Sequence, residues 1–223
     1  MMEFKQVVKV PRDRIGVLIG RDGRVKEMVE RSCSVRLYID SEEGSVTITG
    51  AVSDAEGSID VRVFKAVEFI TAVARGFSPE RAMRLLNDEE CMISVIDLKE
   101  QVGRSASALQ RVKGRLIGSN GKARRLIEEL SGAYISVYGH YVAIIGRAEE
   151  VRLAGEAVTM LMGGSMHSTV YSMLQRARRR AKMERLRLWE DSSVTSEQGS
   201  GIGEGGRGNG SSDGRGSSGG DDR

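Results

Sequence analysis

The chain has 223 residues, of which 39% are hydrophobic and 29% are charged, and these proportions are typical of a soluble globular protein. No segment approaches the roughly 18 to 20 consecutive apolar residues that cross a membrane, and the first residues lack the apolar run of a signal peptide. We therefore expect a cytoplasmic location and no membrane partner. The two cysteines and two histidines fit neither a disulfide framework nor zinc-ligand spacing, so we also expect no metal and no cofactor.

The net charge of +3 is unevenly distributed along the chain. Residues 191–223 carry six acidic residues and three arginines, so the remainder holds 31 basic against 25 acidic residues. Only eight of the 34 basic residues are lysines, and an arginine guanidinium binds phosphate through two parallel hydrogen bonds. This composition favours a nucleic-acid partner only modestly, because heat-stable proteins with surface ion-pair networks are also rich in arginine.

Six elements are predicted in chain order over residues 4–75. Alternating apolar residues predict a strand in FKQVVKV, and Pro11 then opens a short helix. The turn GRDG leads into a second helix, which is followed by the strands SVRLYID and SVTIT. A long helix with an apolar stripe is predicted over 54–75 and completes the order β-α-α-β-β-α.

A second unit is predicted after a short connection. Ser78 as an N-cap and Pro79 at the first helical position predict a connecting helix. The strand CMISVID then begins a unit whose last helix is predicted over 148–162, and a basic helix follows over 165–189. That helix is interpreted equally well as a surface for an RNA backbone or as a solvated face. Residues 190–223 are mostly Gly and Ser, so we expect a disordered tail.

The two units are copies of one another. At an offset of 98 residues, the segment from Gly16 to Glu30 matches the segment from Gly114 to Glu128, including both glycines of the turn. After a hairpin that is two residues shorter in the second copy, VTITG at 46–50 matches VAIIG at 142–146. The chain is therefore predicted to be a tandem repeat.

A glycine turn of the form I-G-x-x-G joins two short helices in both copies, and this pattern resembles the type I, or eukaryotic-type, KH domain. The resemblance implies an α+β fold in which each copy packs a three-stranded antiparallel sheet on helices. It also implies that the turn clamps the backbone of about four single-stranded nucleotides, while the bases lie in an adjacent groove. Physically, glycines allow close approach of the backbone, and a helix N-terminus directs N–H groups at phosphate. The low aromatic content, 4%, does not argue against RNA, because such a groove uses shape and aliphatic contacts.

These features give a domain map and a set of candidate residues. We predict a first KH domain over 1–76, a connecting helix over 77–90, a second KH domain with its extra basic helix over 91–189, and the tail over 190–223. The predicted RNA-contacting residues are Gly20, Arg21, Asp22, Gly23, Arg24, Lys113, Arg115, Gly118, Ser119, Asn120, Gly121, Lys122, Arg124 and Arg125. The predicted groove residues are Ile19, Val25, Val29 and Leu37 in the first copy and Ile117, Ala123, Ile127 and Ile135 in the second.

The two turns differ in charge. The first turn contains Asp22, a carboxylate placed where a phosphate is expected, whereas residues 111–125 hold six basic residues, Arg111 among them, and no acidic residue. We therefore expect the second copy to be the stronger RNA site. A P-loop is excluded because Lys122 is followed by Ala123, which has no hydroxyl to bind magnesium.

Segments outside the turns, among them GFSPERAMRLLNDEE and GGSMHSTVYSML, resemble the archaeal small-subunit rRNA-processing KH proteins over about residues 2–188. That family is related to the eukaryotic pre-40S factor called partner of Nob. The resemblance implies binding of pre-16S rRNA near its 3′ end, help to a Nob-type endonuclease and a contact with the alpha subunit of translation initiation factor two. Eukaryotic members tend to lack the first glycine turn, whereas Gly20 and Gly23 are both present here, so the division of labour between the copies is open.

Other functions are compatible with the pattern. No nucleophile and base, carboxylate pair or metal cluster is recognisable, so we expect a protein that is not an enzyme. The rival hypotheses are a KH regulator of mRNA or small RNA, a nuclease or nucleotide hydrolase that uses the glycine turns, and an assembly scaffold with reduced RNA binding.

Overall fold

The computed structural model describes the backbone of residues 3–51 and 61–197. The chain divides into two units, Met1–Ala181 and Lys182–Arg223. The predicted helix start over 54–60 and the part of the predicted tail over 198–223 lie outside the described residues.

The first copy contains the six predicted elements in the predicted order. They are β1 (Glu3–Lys9), α1 (Arg12–Ile19), α2 (Arg24–Cys33), β2 (Val35–Asp40), β3 (Ser45–Ala51) and α3 (Val61–Ala74). A single 3-10 turn over 21–23 separates α1 from α2. The sheet has the order β1-β3-β2 and both strand pairs are antiparallel, which confirms the predicted type I arrangement.

The second copy repeats this arrangement with additions at both ends. The connection holds α4 (Pro79–Ala82) and α5 (Arg84–Asn87), and the copy itself holds β4 (Cys91–Asp97), α6 (Leu98–Val102), α7 (Ala106–Ile117), α8 (Lys122–Ser131), β5 (Tyr134–Tyr138), β6 (Tyr141–Arg147) and α9 (Ala148–Met162). A further helix, α10 (His167–Glu197), follows. The sheet order β4-β6-β5 is equivalent to that of the first copy, and both of its strand pairs are antiparallel.

Three predicted boundaries differ from the structure. The connection contains two short helices instead of one, since Met83 lies between α4 and α5. Before its turn the second copy holds two helices, α6 and α7, where the first copy holds only α1, and these two are separated at Gly103, whose φ of +83° suits a residue without a side chain. The last helix begins at His167 and extends to Glu197, past the predicted end at 189.

The apolar core of the first copy continues into the second. Phe69, Ile70 and Phe77 are completely or almost completely buried, and the same cluster includes Ala143 and Ile145 from β6. A second cluster lies between the sheet of the second copy and α7, α8, α9 and the start of α10. The two copies are therefore packed against one another through a shared apolar surface.

Polar contacts from the connection reinforce this packing. Arg81 Nη2 lies 2.5 Å from a carboxylate oxygen of Glu128, and Arg84 Nη2 lies 2.5 Å from one of Glu150. Arg84 also donates to the carbonyl oxygen of Gly132 at 2.7 Å. Because these acids belong to the second copy, the connection fixes the second copy's helices in place.

Candidate nucleic-acid interface

Both glycine turns have the same backbone geometry. In the first turn, Gly20, Asp22 and Gly23 have φ values of +74°, +54° and +77°. In the second turn, the equivalent residues have values of +71°, +53° and +75°. The turn thus needs a left-handed conformation at its third position as well as at its glycines, and Asp and Asn are the side chains that tolerate it best.

The two glycines of each turn have different reasons to be glycine. A Cβ on Gly118 would lie 2.7 Å from the Cβ of Ala123 and 2.9 Å from its nitrogen, so the turn packs against the start of α8. A Cβ on Gly121 would meet nothing closer than 4.0 Å. The first copy repeats this difference between Gly20, which is blocked by Val25, and Gly23, which is open. The second glycine of each turn is therefore the one that leaves room for a ligand.

Three of the predicted basic residues of the second copy are bound to the protein's own carbonyl oxygens. Arg125 donates to Asn120 O at 2.6 Å, which braces the turn. Arg115 donates from Nη2 to Ser165 O at 2.5 Å and from Nε to Leu161 O at 3.2 Å, beyond the turn. Lys113 donates to Gly139 O at 2.8 Å, at the β5–β6 hairpin. These three side chains therefore stabilise the backbone of the turn and of the segments near it.

Of the five basic residues predicted to contact RNA in the second copy, Lys122 and Arg124 have no hydrogen bond or ion pair within the described chain. Lys122 is exposed at the first position of α8. Arg124 is half-buried, and its Nε is buried without a hydrogen-bond partner among the described residues. A guanidinium with an unused buried donor is suited to a ligand acceptor, since leaving that donor unpaired costs about 1–3 kcal/mol.

Lys26, the residue of the first copy that is equivalent to Arg124, has an acidic partner. Lys26 Nζ lies 4.0 Å from Glu30 Oε1, and that same carboxylate oxygen accepts from the backbone N–H of Leu37 at 2.8 Å. In the second copy Glu128 accepts from the N–H of Ile135 at 2.7 Å in the same way, but its charge is paired with Arg81. Glu128 is thus paired with Arg81 and forms no ion pair with Arg124.

The predicted groove residues divide by burial. Val29, Leu37, Ile127 and Ile135 are at most 2% exposed and belong to the apolar core, so their side chains offer no surface to a base. Ala123 is 4% exposed, while Ile19 and Val25 are half-buried and Ile117 is 36% exposed. The four buried residues lie on the faces of α2, α8, β2 and β5 that pack into the two apolar clusters. The groove assignment stays a prediction for the residues that retain surface.

The first turn has acidic surroundings. Arg21, Asp22 and Arg24 are exposed, and none has a hydrogen bond or ion pair within the described chain. A cleft of about 750 Å³ lies between Lys26 of α2 and the β2–β3 hairpin, and its lining includes Asp40 and Glu43. The corresponding hairpin of the second copy is the two-residue loop Gly139 and His140, which has no acid of its own. The turn and hairpin of the first copy thus carry more acidic residues than those of the second copy.

The roles of Arg81 and Glu128 are not predicted from the sequence. The repeat pairs Glu30 with Glu128, which is a signal that the acid has a fixed role, but the partner comes from the connection 47 residues away. Around it, Arg81 lies over the rings of Tyr134 and Phe77, at 4.4 Å and 5.7 Å from their centres. Only the packing of the two copies brings these groups together.

The described part of the chain offers neither a metal site nor a membrane-spanning helix. There, no group of three or more His, Cys, Asp or Glu side chains has an arrangement suited to a metal ion. Within the same residues, no helix combines the length and apolar content required to traverse a lipid bilayer.

Comparisons with known proteins agree with this geometry. Residues 92–179 match the family described as "Eukaryotic type KH-domain (KH-domain type I)", and residues 5–60 match the family described as "KH domain". A KH domain-containing protein of Methanocaldococcus jannaschii is 43% identical over 192 residues, which cover 86% of this chain and 82% of that protein. The pre-rRNA-processing protein pno1 of Schizosaccharomyces pombe is 32% identical over 118 residues. The chain belongs to the archaeal KH-domain proteins related to eukaryotic Pno1.

Solved structures extend the likeness of this KH-domain family member. Dim2p from Pyrococcus horikoshii is 43% identical, with a TM-score of 0.70 over 78% of this chain and 99% of that one. The chain is also similar to a structure described as an a/eIF2alpha-aDim2p-rRNA complex from the same organism, at 42% identity and a TM-score of 0.72 over 80% of this chain and 96% of that chain. The match to S. pombe pno1 covers 53% of this chain and spans about half, 49%, of that relative's length.

Proposed function

We propose that this protein binds single-stranded RNA, with the second glycine turn as its main backbone clamp. The observation that carries the proposal is the pairing of the open face at Gly121 with two unpartnered basic side chains, Lys122 and Arg124. The turn is braced by Arg125 and needs no rearrangement to receive a phosphate. The other predicted contacts, including Arg115 and Lys113, support this clamp by holding neighbouring carbonyl groups.

We further propose that the RNA is pre-16S rRNA near its 3′ end, during maturation of the small ribosomal subunit. The support is the likeness to Pno1, whose name describes pre-rRNA processing, and to the Dim2p of a complex that contains rRNA. The alpha subunit of translation initiation factor two is a proposed partner, because that complex also contains a/eIF2alpha. A Nob-type endonuclease is proposed as the enzyme that this protein assists, and a cytoplasmic location is proposed with it.

Crosslinking the protein to total cellular RNA, followed by sequencing of the bound sites, tests the target. We expect enrichment at the 3′ end of pre-16S rRNA. Enrichment on mRNA or small RNA would instead support a KH regulator, and no enrichment would support an assembly scaffold. RNA cleavage or nucleotide hydrolysis by the purified protein alone would contradict the proposal that it is not an enzyme.

The salt dependence of binding tests the clamp. If Z phosphates are contacted, the logarithm of the association constant falls with the logarithm of salt concentration with a slope of about −0.7Z for a single strand. We expect a slope that decreases in magnitude when Lys122 is replaced by Gln. A flat response to salt in the unchanged protein would contradict phosphate binding.

A further inference from the structure

A second cleft lies beside the glycine turn of the second copy. Its volume is about 460 Å³, and it is formed by α7, the turn, the first positions of α8 and the start of α10. Within the described chain, its lining includes Arg111, Gly114 and Lys122 on one side and His167 and Tyr171 on the other. The lining also includes Gly118, Ser119 and the predicted groove residue Ala123 but no residue of β5, so this cleft adjoins the glycine turn and reaches α10 instead of β5.

The cleft combines positive charge with an aromatic side chain. Arg111 and Lys122 are exposed and have no hydrogen bond or ion pair among the described residues. Tyr171 is half-buried, and its hydroxyl has no hydrogen-bond partner within the described chain. Burial raises the pKa of Tyr171, so the phenol stays neutral and can donate a hydrogen bond.

The wall that carries Tyr171 is held in position by the rest of the domain. His167 Nε2 lies 2.9 Å from the carbonyl oxygen of Arg115, which ties the start of α10 to α7. Arg115 in turn donates to Ser165 O at 2.5 Å, just before α10 begins. The ring of His167 lies 6.0 Å from the ring of Tyr171. The cleft is therefore formed before any ligand arrives.

The first copy lacks the side chains that give this cleft its charge and its aromatic ring. At the offset of 98, Arg111 is replaced by Asp13, and the carboxylate of Asp13 accepts a hydrogen bond from the hydroxyl of Tyr138. Helix α10 follows the seven elements β4 to α9 of the second copy, whereas the connection after α3 contains the short helices α4 and α5. The combination of cations and an aromatic ring belongs to the second copy.

We infer that this cleft binds one further nucleotide of the strand that the glycine turn clamps, with its base on Tyr171 and its phosphate near Arg111 and Lys122. The inference rests on the proposed RNA binding. A nucleotide fits because an aromatic ring stacks on any base, because two unpaired cations attract phosphate, and because Lys122 lies at the first position after the turn. Arg111 and Tyr171 are then contacts that lengthen the bound RNA beyond the clamped nucleotides.

Binding of two oligonucleotides by the full chain tests the inference. The oligonucleotides carry four and eight nucleotides of the 3′ region of pre-16S rRNA, and the variants are Arg111→Gln and Tyr171→Leu. We expect each variant to lose about tenfold in affinity for the octamer, within the range for loss of one stacked base, and less than twofold for the tetramer. Arg104→Gln is the matched control, because Arg104 is exposed, lies outside the cleft lining and loses the same charge.

The outcomes separate the two proposals. If the unchanged protein binds neither oligonucleotide, the proposed function fails and this inference fails with it. If the unchanged protein binds the octamer and both variants bind it equally well, the cleft inference is overturned while RNA binding stands. Equal losses for both lengths would also overturn it, because the cleft would then not serve an added nucleotide. Arg111→Gln decides the matter if Tyr171→Leu unfolds, since the Arg111 side chain is exposed.

Discussion

The two copies share a turn of almost identical backbone conformation and differ in the side chains around it. In the first copy the basic residue after the turn, Lys26, is near Glu30, and the neighbouring hairpin contributes Asp40 and Glu43. In the second copy the equivalent Arg124 has a buried unpaired Nε. The two copies thus share the backbone conformation of the turn and differ in the charges around it, and we expect that difference to decide how strongly each copy binds phosphate.

The connection between the copies contributes to this difference. Arg81 pairs with Glu128, and the acid therefore no longer neutralises Arg124. The same arginine packs between Phe77 and Tyr134, so its position depends on the contact of the two copies. The charge near the second turn thus depends partly on a residue that precedes the second copy in the chain.

The largest expected effect is a loss of RNA affinity when acidic residues are placed in the second turn. Two variant proteins are compared, and in each of them one turn is changed to the same acidic sequence. Ser119→Asp with Asn120→Asp gives the second turn the sequence GDDG, and Arg21→Asp gives the first turn the same sequence. Both changes alter the net charge by two. We expect about a 100-fold loss of RNA affinity for the second turn, since each like charge at about 4 Å from a phosphate costs between ~1 and ~4 kcal/mol. Fluorescence anisotropy with a labelled pre-16S fragment measures it.

The Arg21→Asp protein is the matched control for this comparison. We expect it to lose less than about threefold in affinity, because Asp22 and the acidic hairpin already disfavour phosphate there. Equal losses in the two proteins would contradict the assignment of the second copy as the main site. Circular dichroism establishes that both proteins remain folded.

The next largest effect is on stability, and we expect it to differ between the two glycines of the second turn. Gly118→Ala forces a Cβ to within 2.7 Å of Ala123 at a φ of +71°, so we expect the free energy of unfolding to fall by about 2–4 kcal/mol. Gly121→Ala carries the backbone strain without the clash, and we expect a loss of about 1–2 kcal/mol. Urea denaturation measures both. A larger loss for Gly121→Ala would contradict the packing role assigned to Gly118.

Breaking the Arg81 contact should make the second copy resemble the first. Arg81→Gln removes the charge partner of Glu128, whose side chain is 14% exposed, so we expect the free energy of unfolding to fall by about 1–3 kcal/mol. Arg124 then becomes the nearest partner for Glu128 one helical turn away, and we expect RNA affinity to fall by about threefold. Isothermal titration calorimetry measures the affinity.

Lys26→Gln is the matched control in the first copy. Its 4.0 Å pair with Glu30 is partly exposed, so we expect a loss of less than about 0.5 kcal/mol in stability and no change in RNA affinity. Unchanged RNA affinity in Arg81→Gln would show that the connection does not influence Arg124.

The smallest expected effect concerns the contact between the copies at high pH. The hydrogen bond to Asp13 raises the pKa of Tyr138 above its ordinary value of 10.0. The folded protein holds this proton more tightly, so the stabilisation is complete below pH 10 and is lost as pH rises through the raised pKa. We expect the stability difference between the unchanged protein and Tyr138→Phe to shrink above pH 10.

Urea denaturation at several pH values from 8 to 11 measures this difference. Tyr38→Phe is the control, because Tyr38 is 58% exposed and has no hydrogen bond among the described residues. A difference for Tyr138→Phe that stays constant across this range would contradict the contact with Asp13.

Local signals in the sequence are sufficient to predict the order of elements and the repeat. Alternation in FKQVVKV and CMISVID predicts β1 and β4, and the shared glycines predict both turns. The hairpin that is two residues shorter in the second copy is also confirmed, since β5 and β6 are joined by Gly139 and His140 alone. These features depend on neighbouring residues, which the sequence displays directly.

Burial and long-range partners could not be predicted in the same way. Val29 and Leu37 look like groove residues because they lie on the right helix and strand, but their faces turn into the core. Similarly, Arg115 lies in a basic stretch of the sequence and is predicted to contact RNA, but in the structure it donates hydrogen bonds to Leu161 O and Ser165 O. Such contacts depend on how α9 and the start of α10 pack against α7, and the periodicity of apolar residues in the sequence does not determine that packing.

Backbone amide NMR during titration with a single-stranded fragment of the 3′ end of pre-16S rRNA tests the central claim most directly. We predict that the largest chemical-shift changes occur at residues 118–122 and that changes at residues 20–24 are smaller. Larger changes at residues 20–24, or no changes at residues 118–122 while RNA binds, would contradict it.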